Sequence, residues 1–364
     1  MIQPERLLDL FMTITGINSY YPGEDEVAAV LSRRLERIGM KMVSDEHRNL
    51  LGYWPGTGAL ADQDPILLCA HMDTVISTEG MKPVIRDGAV HTDGSSVLGA
   101  DDKAAVAAIV EGAEAVADAQ LPHLPIEVLF TVGEDVGHIG SKAFDVAHVR
   151  STMGFVPDIG GPVGLISLKA PWARTVKIMF HGRAAHAGLE PEEGRCAISM
   201  AAAAVHAMRL GRVDEETTAN VGVISGGLAE NVVPPQAELI MQTRSLDPDK
   251  QRATLEDMIE CCRQAAAERG GTIEEQTVGQ IDGFRFKPTD PIVQRAEGAI
   301  KAAGRVPQHT VTCGGSDANE LNAKGLPTLV IAVGYKDIHT NEESMPIDEL
   351  NALAEVCAGL ILKK

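Results

Sequence analysis

Leu67-Leu68-Cys69-Ala70-His71-Met72-Asp73-Thr74-Val75 reads as a buried strand that ends in chemistry. Leu67 to Ala70 are apolar or small, and a histidine and an aspartate then emerge two residues apart. The period of two along a strand puts His71 and Asp73 on one face. A histidine at a strand end can ligate a metal through one ring nitrogen. A carboxylate beside it can hold the other ring N–H and fix the tautomer. By itself the His-x-Asp string also fits a solvated turn. What gives it weight is repetition, because each later acidic cluster follows an apolar strand in the same way.

Working outward, the 364 residues are 45% hydrophobic and 23% charged, which predicts two domains with packed cores. Aromatics make up only 4% while Gly and Ala abound, a balance that favours tight α/β packing over a β-sandwich. The formal net charge of −19 argues against nucleic acid or an anionic membrane as partner. It fits ordinary solubility, or acid partly offset by bound divalent cations. The cysteines Cys69, Cys196, Cys261, Cys262, Cys313 and Cys357 form no Cys-x-x-Cys pair and read as buried thiols in a reducing compartment. Met1-Ile2-Gln3-Pro4-Glu5-Arg6 carries no signal-peptide pattern. No run reaches the roughly 20 apolar residues of a membrane span. A cytoplasmic protein is expected.

Apolar spacing predicts helices over 4–15 and 24–40, with Val27, Leu31, Leu35 and Ile38 on one face of the second. Strands are expected over 49–53 and 65–70, and a hairpin over 84–91. Gly94 to Lys103 is a glycine-bearing loop that delivers Asp101 and Asp102 to the start of an Ala/Val-rich helix over 104–117. Acids at a helix N-terminus also serve simply as caps. Ile126 to Val132 is a buried strand that runs into Gly133-Glu134-Asp135-Val136-Gly137. Adjacent carboxylates there are costly unless a positive group sits beside them or the turn is solvated. Gly154 to Gly161 repeats the pattern with Asp158.

The pattern changes after Pro171. Strands over 174–182, 220–225, 237–245 and 271–279 and helices over 196–210 and 255–269 give a β-α-β-β-α-β order, that of a compact α+β domain of the split type. It is placed at 173–284, inserted in a larger domain of 1–172 and 285–364. The chain then returns to α/β: a helix over 291–303, a strand over 308–312, a helix starting after Cys313-Gly314-Gly315-Ser316, a strand over 327–333 that leads to His339, and a last helix over 346–361.

In an open α/β sheet ligands bind outside the carboxyl ends of the strands, so His71, Asp73, Asp101, Glu134, Asp135, Asp158 and His339 can converge. Two imidazoles and several carboxylates suit zinc, with cobalt or manganese as alternatives. The carboxylates suffice for two metals with one bridging.

These strings carry a resemblance. Ala70-His71-Met72-Asp73-Thr74, Leu98-Gly99-Ala100-Asp101-Asp102-Lys103 and Gly133-Glu134-Asp135 resemble motifs of the dinuclear zinc exopeptidase family of tripeptidase T, carboxypeptidase G and aminoacylase. So do Ala185-His186-Ala187-Gly188, Asn231-Val232-Val233-Pro234 and Gly314-Gly315-Ser316-Asp317. The motifs span residues 66–339, and their flavour is that of the tripeptidase T-like branch. The resemblance implies a mixed-sheet catalytic domain with helices on both faces, plus an inserted α+β lid and dimerisation domain. It implies two divalent metal ions, most readily zinc. Asp101 bridges them, His71 and Asp158 complete one site, and Asp135 and His339 the other. Asp73 orients His71. Glu134 is the general base, taking a proton from a water between the metals and handing it to the leaving amine. The family usually has Glu-Glu where this chain has Glu134-Asp135, and aspartate reaches one methylene less, which bears on affinity and metal preference.

From the inserted domain, the resemblance implies that His186 polarises the scissile carbonyl, in some members from a partner subunit of a homodimer. Asn231 and Arg244 hold the substrate carboxylate, although Arg244 on a strand also fits a surface charge. His138, His181 and His309 match no motif and read as structural.

The expected activity is removal of the N-terminal residue from short peptides, tripeptides above all. An N-acyl-amino-acid or related amide hydrolase would use the same metals and base. A non-catalytic metal-binding protein would not need Glu134 or His186. A nucleotide-binding protein is excluded, since no Gly-x-Gly-x-x-Gly follows the first strands.

Overall fold

The computed structural model describes residues 1–312 and 314–363. Cys313 lies outside the described residues. The chain divides into two compact units, Met1–Lys169 with Arg285 onward, and Ala170–Phe284.

The larger unit is built on an eight-stranded mixed sheet among the described residues. Its order is Lys41–Ser44, Leu50–Trp54, Ile126–Thr131, Ile66–His71, Gly154–Ile159, Thr328–Ala332, Leu165–Ser167, Gln308–Thr310. The four middle strands, from Ile126–Thr131 to Thr328–Ala332, run parallel. Ile66–His71 and Ile126–Thr131 are buried at every position, as a parallel sheet covered on both faces requires. The helix Ala100–Asp118 is buried from Ala100 to Val116 and packs on this sheet and against the last helix, Ile347–Leu362. Its alanines and glycine permit that approach. A Cβ on Gly112 would lie 3.0 Å from both Cys357 Cβ and Ala358 N. Pro4–Thr15 and Asp25–Arg37 bury one face each, through Leu7, Leu10, Phe11 and Ile14, and through Val27, Leu31 and Leu35.

The inserted unit has a five-stranded antiparallel sheet among the described residues, ordered Gly211–Arg212, Thr217–Gly226, Gln236–Ser245, Trp172–His181, Thr272–Ile281. Trp172–His181 and Gln236–Ser245 bury alternate residues. One face is thus covered by the helices Ala197–Ala207 and Pro248–Glu268. Val176, Ile178, Phe180, Met200, Leu239, Met241, Ile259 and Cys262 make a core separate from that of the larger unit. The first and last strands are neighbours, with Ala173 opposite Ile281.

Differences from the sequence reading have local causes. Pro248–Glu268 begins seven residues before the expected start at Leu255. Asp247 accepts from Asp249 N and Lys250 N, and Pro248 takes the first turn. Those capping signals precede the apolar spacing that marked the helix. The strands Lys41–Ser44, Leu165–Ser167 and Ser344–Pro346 are too short for periodicity to reveal. Cys69, Cys262 and Cys357 are buried, but Cys196 and Cys261 are only partly so, and all five are free thiols. No helix among the described residues is long and apolar enough to cross a membrane.

Candidate active site

The four parallel strands bring their carboxyl ends side by side. Ile66–His71 ends on the histidine itself, and Ile126–Thr131 runs through Val132 into Gly133. Gly133 turns the chain with φ +60°, and a Cβ there would meet the Tyr21 ring at 2.8 Å, so glycine alone fits. Glu134 and Asp135 follow. Gly154–Ile159 carries Asp158 near its end, and the loop after Thr328–Ala332 carries Tyr335 and His339.

One buried carboxylate ties two of these tips together. Asp73 Oδ1 lies 3.3 Å from His71 Nδ1 and accepts from Glu134 N at 2.9 Å, while Asp73 Oδ2 accepts from Asp135 N at 3.2 Å. Asp73 therefore orients the imidazole and the Glu134–Asp135 turn at once. Glu343 does the same for the Asp101 loop, accepting from Gly99 N at 2.9 Å and Asp101 N at 3.1 Å.

Among the described residues the ligand-type atoms gather in three groups, each with atoms within 4.8 Å of one another: His71–Asp102–Asp158, His71–Asp73–Asp135 and Asp101–Asp135–His339. Asp101 stands between the imidazoles. Its Oδ1 is 3.3 Å from His71 Nε2 and its Oδ2 is 3.2 Å from His339 Nε2. His339 Nε2 also lies 3.2 Å from Asp135 Oδ1. Tyr335 donates its hydroxyl to Asp158 Oδ1 at 3.5 Å.

The electrostatics of this pocket call for positive charge. Burial and the neighbouring acids push the Asp102 and Asp158 carboxyls well above their usual range. Contacts with Asp101 and Asp135 raise the His339 imidazole to about 10. Burial opposes a charged His71, yet Asp101 and Asp73 raise it well above the ordinary histidine value. Burial raises the Glu134 carboxyl to about 8. Among the buried oxygens without a hydrogen-bond partner are both of Asp102 and Asp135 Oδ2. Orphaned carboxylate oxygens are costly to bury, and a divalent cation satisfies them. The residues therefore fit a metal centre.

All seven strand-tip residues singled out from sequence, His71, Asp73, Asp101, Glu134, Asp135, Asp158 and His339, lie at this end of the sheet. Asp102, Glu343 and Tyr335 join them, although the sequence gives no role for them. Asp102 carries the one available signal, its place beside Asp101; the other two meet the site only through contacts distant in sequence. His138 is not a bystander: its Nε2 lies 3.2 Å from Glu134 Oε1. His181 and His309 do stand apart, near Glu274 and Glu297 respectively.

Within the inserted unit, His186 and Asn231 are brought together. Ala187 N donates to Asn231 O at 2.9 Å, and His186 forms a β-bridge with Val232. His186 Nδ1 accepts from Gly188 N at 3.1 Å and Leu189 N at 3.2 Å, which places the ring proton on Nε2. Arg244 is elsewhere. It sits eight residues along Gln236–Ser245 from Gln236, about 26 Å at the rise of a strand, and donates to Gln242 Oε1 at 2.8 Å. Within one inserted unit Asn231 thus lies ahead of Gln236 while Arg244 sits near the far end of the strand.

Two imidazoles and several buried carboxylates gathered beside Glu134 are the donor set of one class, the metal-dependent hydrolases. The pattern of Peptidase family M20/M25/M40 matches residues 67–363, and the chain belongs to that family. It is a metallopeptidase with the family's two-part α/β fold. Over 366 residues it is 38% identical to the uncharacterised protein YqjE of Bacillus subtilis, covering 99% of each chain. Its fold matches the crystal structure of aminopeptidase PepT from Bacillus cereus with a TM-score of 0.94 and 36% identity, covering 100% of this chain and 99% of that one. A tripeptidase from Staphylococcus aureus matches with a TM-score of 0.92 and 33% identity, over 99% and 98% of the chains.

Proposed function

We propose that the protein is a two-metal exopeptidase that releases the N-terminal residue of short peptides, tripeptides above all. The observation that carries the two-metal reading is the Asp101 carboxylate, one oxygen 3.3 Å from His71 Nε2 and the other 3.2 Å from His339 Nε2. Its two oxygens can serve two ions at once. His71 and Asp158, with Asp102 beside them, would hold one ion; Asp135 and His339 would hold the other. Zinc suits this donor set best, with cobalt or manganese as alternatives. The chemistry that such a pair supplies when bound is polarisation of a carbonyl and acidification of water.

The chain's own residues do the rest. Glu134 takes the proton from the attacking water and returns it to the leaving amine, and its burial keeps the carboxyl basic enough for both transfers. Asp73 keeps Glu134 and His71 in place through its three contacts. His186, with its proton on Nε2, donates to the carbonyl oxygen as charge develops there. Asn231 lies next to it and is suited to the substrate's carboxylate. The preference for tripeptides and for a free amino end is supported by the aminopeptidase and tripeptidase relatives.

A homodimer through the inserted unit is supported by its edge. From Asn220 to Gly226 the outer side of Thr217–Gly226 has no strand partner among the described residues, and Val223, Ile224 and Leu228 are exposed. Such an edge is commonly covered by a second chain. The net charge of −19 and the free thiols fit a cytoplasmic enzyme that binds neither nucleic acid nor membrane.

A substrate panel tests the reading. Zinc-, cobalt- and manganese-loaded protein is offered di- and tripeptides with free and blocked amino ends, together with N-acyl amino acids. Cleavage of free-amine tripeptides is expected. Turnover confined to N-acyl amino acids would replace the peptidase reading with an amide hydrolase. His186→Ala is expected to lower kcat while leaving metal content intact, read by steady-state kinetics beside elemental analysis. Equal losses of both would make His186 structural.

A further inference from the structure

His138 sits four residues beyond Glu134, with φ +58°, a left-handed conformation uncommon for a residue with a side chain. Its backbone is fixed by donation from His138 N to Glu134 O at 2.7 Å. The residue is 8% exposed; its Nδ1 is hydrogen-bonded to Glu320 and its Nε2 stands at ion-pair distance from Glu134. Nε2 lies 3.2 Å from Glu134 Oε1, and Nδ1 lies 3.3 Å from Glu320 Oε1. His138 is therefore no member of the metal-ligand groups. Its placement instead links the carboxylate of Glu134 to the helix Asp317–Ala323, which carries Glu320.

That helix grips the same segment a second time. Lys324, just past its end, donates Nζ to the carbonyls of Ser141 at 2.5 Å and of Lys142 and Phe144 at 2.7 Å. The chain from Glu134 to Phe144 is thus anchored through a ring at one end and three carbonyls at the other. A glutamate has three rotatable side-chain bonds, so a base of this kind is accurate only if something fixes its carboxylate.

We infer that His138 is a positioning residue for Glu134, holding the carboxylate through Nε2 while Glu320 holds the ring through Nδ1. The inference rests on the reading of Glu134 as general base. Partners of this kind are worth about 10–100-fold in activity.

The test uses full-length, metal-loaded His138→Ala, His138→Gln and Glu134→Gln proteins, each assayed for kcat, KM, metal stoichiometry and thermal midpoint. His138→Ala is expected to lose about 10–100-fold in kcat with KM and metal content unchanged. His138→Gln keeps a side-chain N–H donor and is expected to recover part of that loss. Added to Glu134→Gln, His138→Ala is expected to cost little more, because the two act as a unit. Parental kcat in His138→Ala, or metal content falling in step with kcat, overturns the inference. If His138→Ala does not fold, His138→Leu, which fills the space but offers no donor, takes its place in the test, and parental kcat or metal loss in step with kcat in that variant overturns the inference equally. Parental turnover in Glu134→Gln instead overturns the general-base reading, an outcome separate from an inert Glu134→Gln beside a fully active His138→Ala.

Discussion

The Glu134→Gln protein is expected to be folded and metal-loaded but nearly inert, with kcat lower by about two to four orders of magnitude. Glutamine preserves the size of the side chain and a hydrogen-bonding oxygen for His138 Nε2, so the turn held by Asp73 through Glu134 N and Asp135 N persists. What disappears is a group that can accept and return a proton. Glu134 is absent from the three groups of ligand atoms, so metal stoichiometry should match the parent. The measurement is kcat beside elemental analysis of the same preparation. Turnover at the parental rate would assign the proton transfer to another residue.

The second large effect is expected from His71→Ala. His71 belongs to two of the three ligand groups and is 1% exposed, while His339 belongs to one and its side chain is 46% exposed. Loss of His71 strips Asp101 and Asp73 of a shared partner at a fully enclosed position. His339→Ala removes a ligand from the rim, where a solvent molecule can take its place. Metal affinity in His71→Ala should fall by more than the roughly 10–100-fold that removal of an outer partner costs, and by more than in His339→Ala. Elemental analysis after dialysis against limiting metal checks both. An unchanged stoichiometry of two in either variant would exclude that histidine as a ligand. Chelation of the parent should abolish turnover and return it on adding metal back.

What is legible from sequence follows a physical divide. Ile66–His71 and Ile126–Thr131 can be read because unbroken apolar runs that end in polar tips are how a covered parallel sheet looks in sequence. Convergence of their tips follows from a rule about open sheets, which needs no distances. The inserted α+β unit announces itself where unbroken runs give way to alternation after Pro171. Illegible are the contacts that depend on how distant segments meet. Nothing near Glu343 in the chain marks it as the acceptor for Gly99 N and Asp101 N. His138 lacks a family match, yet its ring reaches both Glu134 and Glu320, a meeting set by packing of the Asp317–Ala323 helix.

The neighbouring placement of the first and last strands of the inserted unit, with Ala173 opposite Ile281, makes that unit a cassette. Antiparallel partners hold their Cα atoms about 5 Å apart, so the two points where the peptide would be cut and rejoined almost touch, and a short glycine bridge would span them. Unrelated sequences with the same paired ends could be grafted there without rethreading the host sheet. The inserted unit can thus be exchanged as one piece while the chain before and after it keeps its own fold.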